Sequence, residues 1–167
     1  MSDQDFVADP QLQIVVTQAA AKCVEFVKLK FGKTLDYSDE SVNEIESVLA
    51  VLHQSIPAEK PSQEDIQDYA TLFGSYLGET YRKNHGGEWG IGSGTVALGI
   101  GSGYLAFPWA RAFKRLTHGE EDGVDAWYYG MIQYGASGEK QAAAPPPLPV
   151  APPPLPAKKK NPFDFFG

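Results

Sequence analysis

The sequence predicts an α+β protein: a mainly helical body with a small antiparallel hairpin or sheet, followed by a disordered proline-rich C-terminal tail. Three observations support this prediction. Apolar residues recur with a helical period through much of the chain, the period changes to two around residues 88–107, and prolines crowd residues 145–156. The chain has 167 residues, of which 43% are hydrophobic, and this is enough for one globular domain, expected at residues 10–136.

Three helices are predicted before the period changes. Residues 11–31 place their apolar side chains on one helical stripe. Ser38 has the side chain of an N-cap for a second helix, which is expected to end near Pro57. Ser62 and Asp65 have the spacing of a capping box at the start of the third helix.

A glycine-rich segment, GIGSGTVALGIGSGYLAF, separates these helices from two more. Residues 95–98 and 104–107 are predicted to be strands, and the Gly-Ser pairs are predicted to form turns. A phosphate-binding loop is the alternative, but a helix end precedes the segment and no Walker pattern is present. Pro108 fits the first turn of a fourth helix, and Asp122 is a candidate cap for a fifth.

Charge and composition exclude some classes of function. The formal charge is -7, and since residues 145–167 contribute three lysines and one aspartate, the rest of the chain carries -9. Such an acidic body argues against nucleic acid as the main partner, because phosphate binding needs clustered cations. The only cysteine, Cys23, lies in an apolar pattern, so we expect a buried, inert thiol and a reducing compartment.

Neither a secretion signal nor a membrane span is expected. The first ten residues, MSDQDFVADP, are acidic and lack an apolar core. No apolar run approaches the roughly 20 residues that a spanning helix needs. The sequence therefore predicts a cytoplasmic protein, with residues 1–9 and about 137–167 mobile because they cannot bury enough apolar surface.

Catalytic and metal-binding candidates in the body each have a plainer explanation. Glu79 and Arg82 could perform acid–base chemistry, but their spacing is typical of an ion pair on a helix surface. His85 lies three residues before Glu88, a pair that a metal site could use, but a histidine at a helix C-terminus needs no ligand role. We expect no metal, no cofactor and no assigned catalytic residue.

A basic patch is predicted on the fourth helix. Arg111, Lys114 and Arg115 have helical spacing, and His118 continues the same face. The patch could bind an acidic partner or a phosphate. The alternative is a solvated face that pairs with the acidic residues directly after it, Glu120, Glu121 and Asp122.

The C-terminal tail contains the strongest candidate for partner binding. Residues 137–157 form a proline-rich linker in which PPPLP occurs twice, and such segments favour a stiff polyproline II conformation. Residues 158–167 then combine basic and aromatic side chains in a docking peptide. We predict that this peptide binds a partner protein through the following residues: Lys158, Lys159, Lys160, Pro162, Phe163, Phe165 and Phe166.

Part of the body resembles an uncharacterised family of small bacterial proteins of unknown function. The resemblance covers roughly residues 35–130 and is carried by LDYSDESV, LFGSYLGETYRKNHGGEW and FPWARAFKRLTHGEEDGVDAWY. It implies helices with a small sheet and a bacterial cytoplasmic setting, and it assigns no catalytic residue. In the tail, PPLP is similar to WW-domain ligands and NPF to EH-domain ligands. Both are eukaryotic, so neither is taken as the partner class.

The leading functional hypothesis is a non-enzymatic adaptor or scaffold. Its tail would dock to one partner protein, and its acidic body could bind a second. A small stoichiometric inhibitor, such as an immunity protein that covers a basic toxin, is the alternative. An unrecognised enzyme that uses Glu79 and Arg82 is a third possibility.

Overall fold

A computed structural model describes residues 6–101 and 103–137 and confirms the predicted α+β class. This part of the chain forms five α-helices and one four-stranded antiparallel sheet. The helices are α1 Pro10–Phe31, α2 Ser41–Glu59, α3 Gln63–His85, α4 Pro108–His118 and α5 Val124–Ser137. The strands are β1 Val7–Ala8, β2 Glu88–Gly92, β3 Thr95–Ile100 and β4 Tyr104–Ala106.

The central helix is α3, against which α1 and α4 pack. Its residues 69–81 are nearly all buried, and they belong to one apolar core that receives side chains from every helix. Two glycines, Gly74 and Gly78, let the neighbouring elements approach. A methyl group on Gly74 would stand 2.6 Å from Cα of Trp109, and one on Gly78 would overlap the ring of Trp89. The absence of a side chain at both positions thus permits the close packing of α3 against α4 and β2.

The start of α3 and the β2–β3 turn follow local sequence signals. Ser62 and Asp65 form the predicted capping box, because each side chain accepts a hydrogen bond from the other residue's backbone N–H. Between β2 and β3, Ser93 and Gly94 have φ angles of 53° and 78°, as the tight turn of a hairpin requires. The second GIGSG copy begins inside β3, so its first two residues lie in a strand rather than a turn.

The sheet is larger than predicted at its N-terminal edge. Val7 and Ala8 pair with Ile91 and Gly90, so β1 extends the sheet beyond β2. The Phe6 ring lies over glycines of β2 and β3. The domain therefore begins before residue 10, where the sequence placed its start, because a two-residue strand is too short to leave a periodic signal.

Two helix ends also differ from the sequence prediction. The Ser38 Oγ accepts a hydrogen bond from the Ser41 backbone at 3.2 Å, but α2 begins only at Ser41, with Glu40 as its N-cap. Before α5, residues 120–122 form a turn of 3₁₀ helix instead of a simple Asp122 cap. The Ser38 side chain therefore stabilises the turn before α2, whereas the Asp122 side chain pairs with Arg111 and His118 of α4.

Candidate interaction site

The predicted basic patch on α4 is not an exposed cationic face. Arg115 is only 3% exposed, and its Nε and Nη2 donate to one Glu46 carboxylate oxygen, both at 2.8 Å. The other oxygen of Glu46 accepts the Val124 backbone N–H at 2.9 Å. Glu46 of α2 thus joins α4 to the first turn of α5, and Arg115 is part of the interior.

The remaining basic residues of α4 are mostly paired as well. Arg111 Nη1 donates to Asp122 at 3.2 Å, and His118 Nδ1 lies 3.1 Å from the other oxygen of the same carboxylate. Lys114 is half-buried. The sequence alternative, in which these cations pair with the acidic residues after the helix, is therefore correct for Arg111 and His118.

Beside α4, whose Arg111, Arg115 and His118 are paired with carboxylates, lies an acidic cavity. The cavity measures about 830 Å³ and lies where α2, β4, α4, the 3₁₀ turn and α5 meet. Four carboxylates and one guanidinium line it, from Glu46, Glu120, Glu121, Asp125 and Arg111, which gives a formal net charge of -3. The remaining lining residues are Tyr104, Gly123, Ala126, Trp127, Gly130 and Met131.

Arg111 lies between the charged and the apolar part of this cavity. Its guanidinium carbon is 5.9 Å from the centre of the Trp127 ring, and its Nε is buried without a hydrogen-bond partner among the described residues. Burial lowers the pKa of the Arg111 guanidinium, and Asp122 partly offsets that effect. Arginine stays charged despite such a shift. The cavity thus has an acidic rim and an aromatic wall.

A second polar cluster surrounds Asp39, in the loop before α2. Its carboxylate accepts a 2.6 Å hydrogen bond from the Tyr128 hydroxyl and lies 3.0 Å from His85 Nε2. Burial, together with the hydrogen bond to Asp39, raises the pKa of Tyr128 strongly. His85 thus pairs with Asp39, whereas Glu88 is exposed on β2, so the H-x-x-E spacing does not describe a pair. In the described ranges, no three His, Cys, Asp or Glu side chains gather as metal ligands.

Glu79 is buried, so the prediction of a surface ion pair is wrong for this residue. Arg82 binds both of its carboxylate oxygens, at 2.8 and 3.0 Å, and the Trp89 indole donates to it at 2.8 Å. Gln13 of α1 donates a fourth hydrogen bond at 3.3 Å. Glu79 thus receives hydrogen bonds from α1, α3 and β2.

The balance of forces on Glu79 keeps it ionised. Burial alone would raise its pKa, but hydrogen bonds from Arg82, Trp89 and Gln13 outweigh burial and lower the pKa below its ordinary value. The donors occupy both oxygens, which is typical of a structural carboxylate. Cys23 is also buried, as predicted, and burial raises the pKa of its thiol.

The tail residues predicted to bind a partner lie outside the described residues. This applies to Lys158, Lys159, Lys160, Pro162 and the three phenylalanines at 163, 165 and 166. Across the described ranges, no helix combines the length and apolar character that a membrane span requires. Comparison of the chain with protein-family models, curated proteins and solved structures found no match. The resemblance to a bacterial family stays a prediction.

Proposed function

We propose that this protein is a non-enzymatic cytoplasmic adaptor that docks to a partner protein through its C-terminal tail. Its body would hold a second protein segment in the acidic cavity beside α4. The observation that supports this proposal is the position of the cavity: α5, which forms its aromatic wall through Trp127, is the helix that leads directly into the tail.

The chemistry of the cavity suits a protein ligand. Glu120 and Glu121 are exposed at the rim, and no described residue forms an ion pair with either of them. Trp127 and Met131 offer apolar contacts beside these charges. Aromatic side chains next to a charged rim are characteristic of protein interfaces. The ligand would be a basic segment with at least one apolar side chain.

The tail would act as a stiff arm with an aromatic end. Twelve residues of polyproline II span about 37 Å, which would hold residues 158–167 away from the body. Phe163, Phe165 and Phe166 are the proposed anchors, since burial of one phenylalanine contributes about 1.5–3 kcal/mol. The three lysines would steer the arm toward an acidic surface.

A stoichiometric inhibitor of a basic protein is the second candidate, and the acidic cavity favours it as well. In that case the body alone would cover the target, and the tail would contribute little. The enzyme hypothesis has less support, because Glu79 is buried and both of its carboxylate oxygens accept hydrogen bonds from side chains of the fold. An accessible reacting group is expected of a catalytic carboxylate.

The adaptor proposal is tested with the full chain as bait in a lysate of the source cells. Three baits are compared by quantitative mass spectrometry: the wild type, the Phe163→Ala/Phe166→Ala variant, and a variant with residues 145–156 scrambled. Each recovered protein is then purified and titrated. We expect the phenylalanine variant to lose about a hundredfold in affinity. Scrambling should change affinity by less than about threefold, because it preserves stiffness and reach.

Three outcomes would contradict parts of this proposal. If scrambling abolishes binding and the phenylalanines are dispensable, the PPPLP repeats are the ligand and the roles within the tail are reversed. If no protein depends on the tail, the adaptor function is wrong. If a captured toxin is neutralised one to one by all three baits, the protein is an inhibitor.

A further inference from the structure

We propose that the acidic cavity of one molecule binds the basic and aromatic end of the tail, residues 158–167, of a second copy of the same chain. This inference rests on the proposed function, since it uses the tail as a docking peptide and names one of its partners. The protein would then associate head to tail, with the tail of each molecule seated beside α4 of the next.

Charge complementarity is the first argument. The cavity lining has a formal charge of -3, and the run Lys158–Lys160 supplies three positive charges. Glu120 and Glu121 are exposed and have no ion-pair partner among the described residues. In contrast, the cations of the body near this site are already paired, since Arg115 binds Glu46 and Arg111 binds Asp122.

The apolar part of the cavity matches the aromatic part of the same segment. Trp127 is half-buried and Met131 contributes to the same wall, within one helical turn of α5. The small residues Ala126 and Gly130 leave room beside Trp127. In the tail, Phe163 follows the last lysine by three residues, so one extended segment can place its charges at the rim and a ring against the tryptophan.

The stiffness of the arm favours a second copy over the molecule's own tail. Trp127 lies ten residues, or about 15 Å, before the end of α5. A polyproline II arm of residues 145–156 would span about 37 Å, whereas the seven residues 138–144 span at most about 25 Å. For the end of the arm to return to its own cavity, this linker would have to run about 22 Å away from the cavity, close to its full length. The cavity of another molecule imposes no such constraint.

Head-to-tail contacts have a characteristic consequence. Each molecule offers one tail and one cavity, so the contact is heterologous and produces open chains or rings rather than a symmetric dimer. Association should therefore grow steadily with protein concentration. It should also weaken with added salt, because the charges at the rim are solvent-exposed.

The test uses two full-length variants and sedimentation velocity over a concentration series. The tail variant replaces Lys158, Lys159 and Lys160 with serine and keeps its cavity. The cavity variant carries Glu120→Gln and Glu121→Gln and keeps its tail. We expect the wild type to form oligomers and each variant alone to be monomeric. An equimolar mixture should form a heterodimer that grows no further, since it contains one functional contact.

A matched control separates the cavity from net charge. Glu25→Gln/Glu59→Gln removes the same two charges at exposed positions away from the cavity. This variant should associate as the wild type does. Circular dichroism verifies that every variant is folded, and the exposed positions of the four glutamates should leave the fold intact. As a second measurement, a synthetic peptide of residues 145–167 is titrated into the tail variant; at least tenfold weaker binding is expected when the cavity substitutions are added to that variant.

Several results would overturn the inference. A wild type that is monomeric at every concentration would contradict it. Oligomers of the cavity variant alone, or the absence of a heterodimer in the equimolar mixture, would also contradict it. If self-association is absent but the tail still captures another protein, only this inference fails and the adaptor function stands. If the tail captures nothing at all, both fail.

Discussion

Glu79 is a single charged residue placed in the core with its hydrogen bonds nearly complete. It joins three elements: Gln13 belongs to α1, Arg82 to α3 and Trp89 to β2. A buried carboxylate without such donors would be neutral, because desolvation disfavours the charged form. Here the donors reverse that preference, so the stability of the fold depends on the ionisation of this residue.

Glu79→Gln should therefore destabilise the protein in a pH-dependent way. Removal of one partner of a buried pair costs roughly 3–5 kcal/mol, but Arg82 is 30% exposed and can return to water, so about 2–3 kcal/mol is expected at neutral pH. The folded-state pKa of Glu79 is lowered. Its contribution is thus complete above the unfolded-state pKa of about 4.3 and is lost as the pH falls through the folded-state pKa.

Urea denaturation at a series of pH values measures this effect. The difference in unfolding free energy between wild type and Glu79→Gln should be constant near neutrality and should narrow below about pH 4. Glu59→Gln is the control, because Glu59 is exposed at the end of α2. A Glu79→Gln difference that grows as the pH falls would show that the carboxylate is not held ionised in the native state.

At the scale of secondary-structure elements, local signals account for most of what the sequence could predict. Each helix is long enough to show the helical period of apolar residues. Capping residues such as Ser62 and Asp65 lie only three positions apart in the sequence. β1 has only two residues, and β2 contains two glycines in five, so neither has a regular alternation of apolar side chains. Their pairing depends on contacts between distant segments.

The candidate site was predicted only in part for the same reason. The sequence singled out Arg111 and Arg115 on α4, because both lie on one helical face. It could not reveal that Glu46, 69 residues before Arg115, neutralises that arginine and also binds the first turn of α5. Likewise, the pairing of Asp39 with Tyr128 joins residues 89 positions apart. The cavity is lined in part by Glu46, so it too depends on segments that are distant in the sequence.

The packing of α3 against β2 should depend on Gly78. Gly78→Ala would place a methyl group inside the volume of the Trp89 ring, and that ring is fixed by its hydrogen bond to Glu79. Overpacking costs typically about 1–3 kcal/mol, and the gain of alanine in a helix offsets up to about 1 kcal/mol of it. We expect a net loss of about 1–2 kcal/mol in the free energy of unfolding.

Gly130→Ala is the matched helical control for Gly78→Ala. A methyl group at Gly130 meets no atom within 4 Å, so alanine should stabilise α5 by up to about 1 kcal/mol through helix propensity alone. The two substitutions are chemically identical but should have opposite signs. Equal effects in thermal denaturation would mean that Trp89 moves freely and that β2 does not require the close approach.

At the scale of the whole molecule, one apolar core connects the five α-helices with β2, β3 and β4. It includes Phe26 of α1, Leu49 of α2, Phe73 of α3, Trp109 of α4 and Tyr128 of α5. The sheet joins the same core through its three longer strands, in which Trp89, Leu98 and Ala106 are buried. Removal of any one of these elements would expose apolar surface on the elements packed against it.

The described part of the chain should therefore unfold as one cooperative unit. Far-ultraviolet circular dichroism follows the five helices, and tryptophan fluorescence follows β2, α4 and α5 through Trp89, Trp109 and Trp127. Both probes should give the same midpoint in urea, with an m-value of about 1–3 kcal/mol/M. The lysine-to-serine variant of residues 158–160 should unfold at the same midpoint when the protein is dilute, because its substitutions lie beyond this core. A fluorescence transition that precedes the loss of helix would mean that the described part of the chain does not unfold as one unit, and the single-domain assignment would then be wrong.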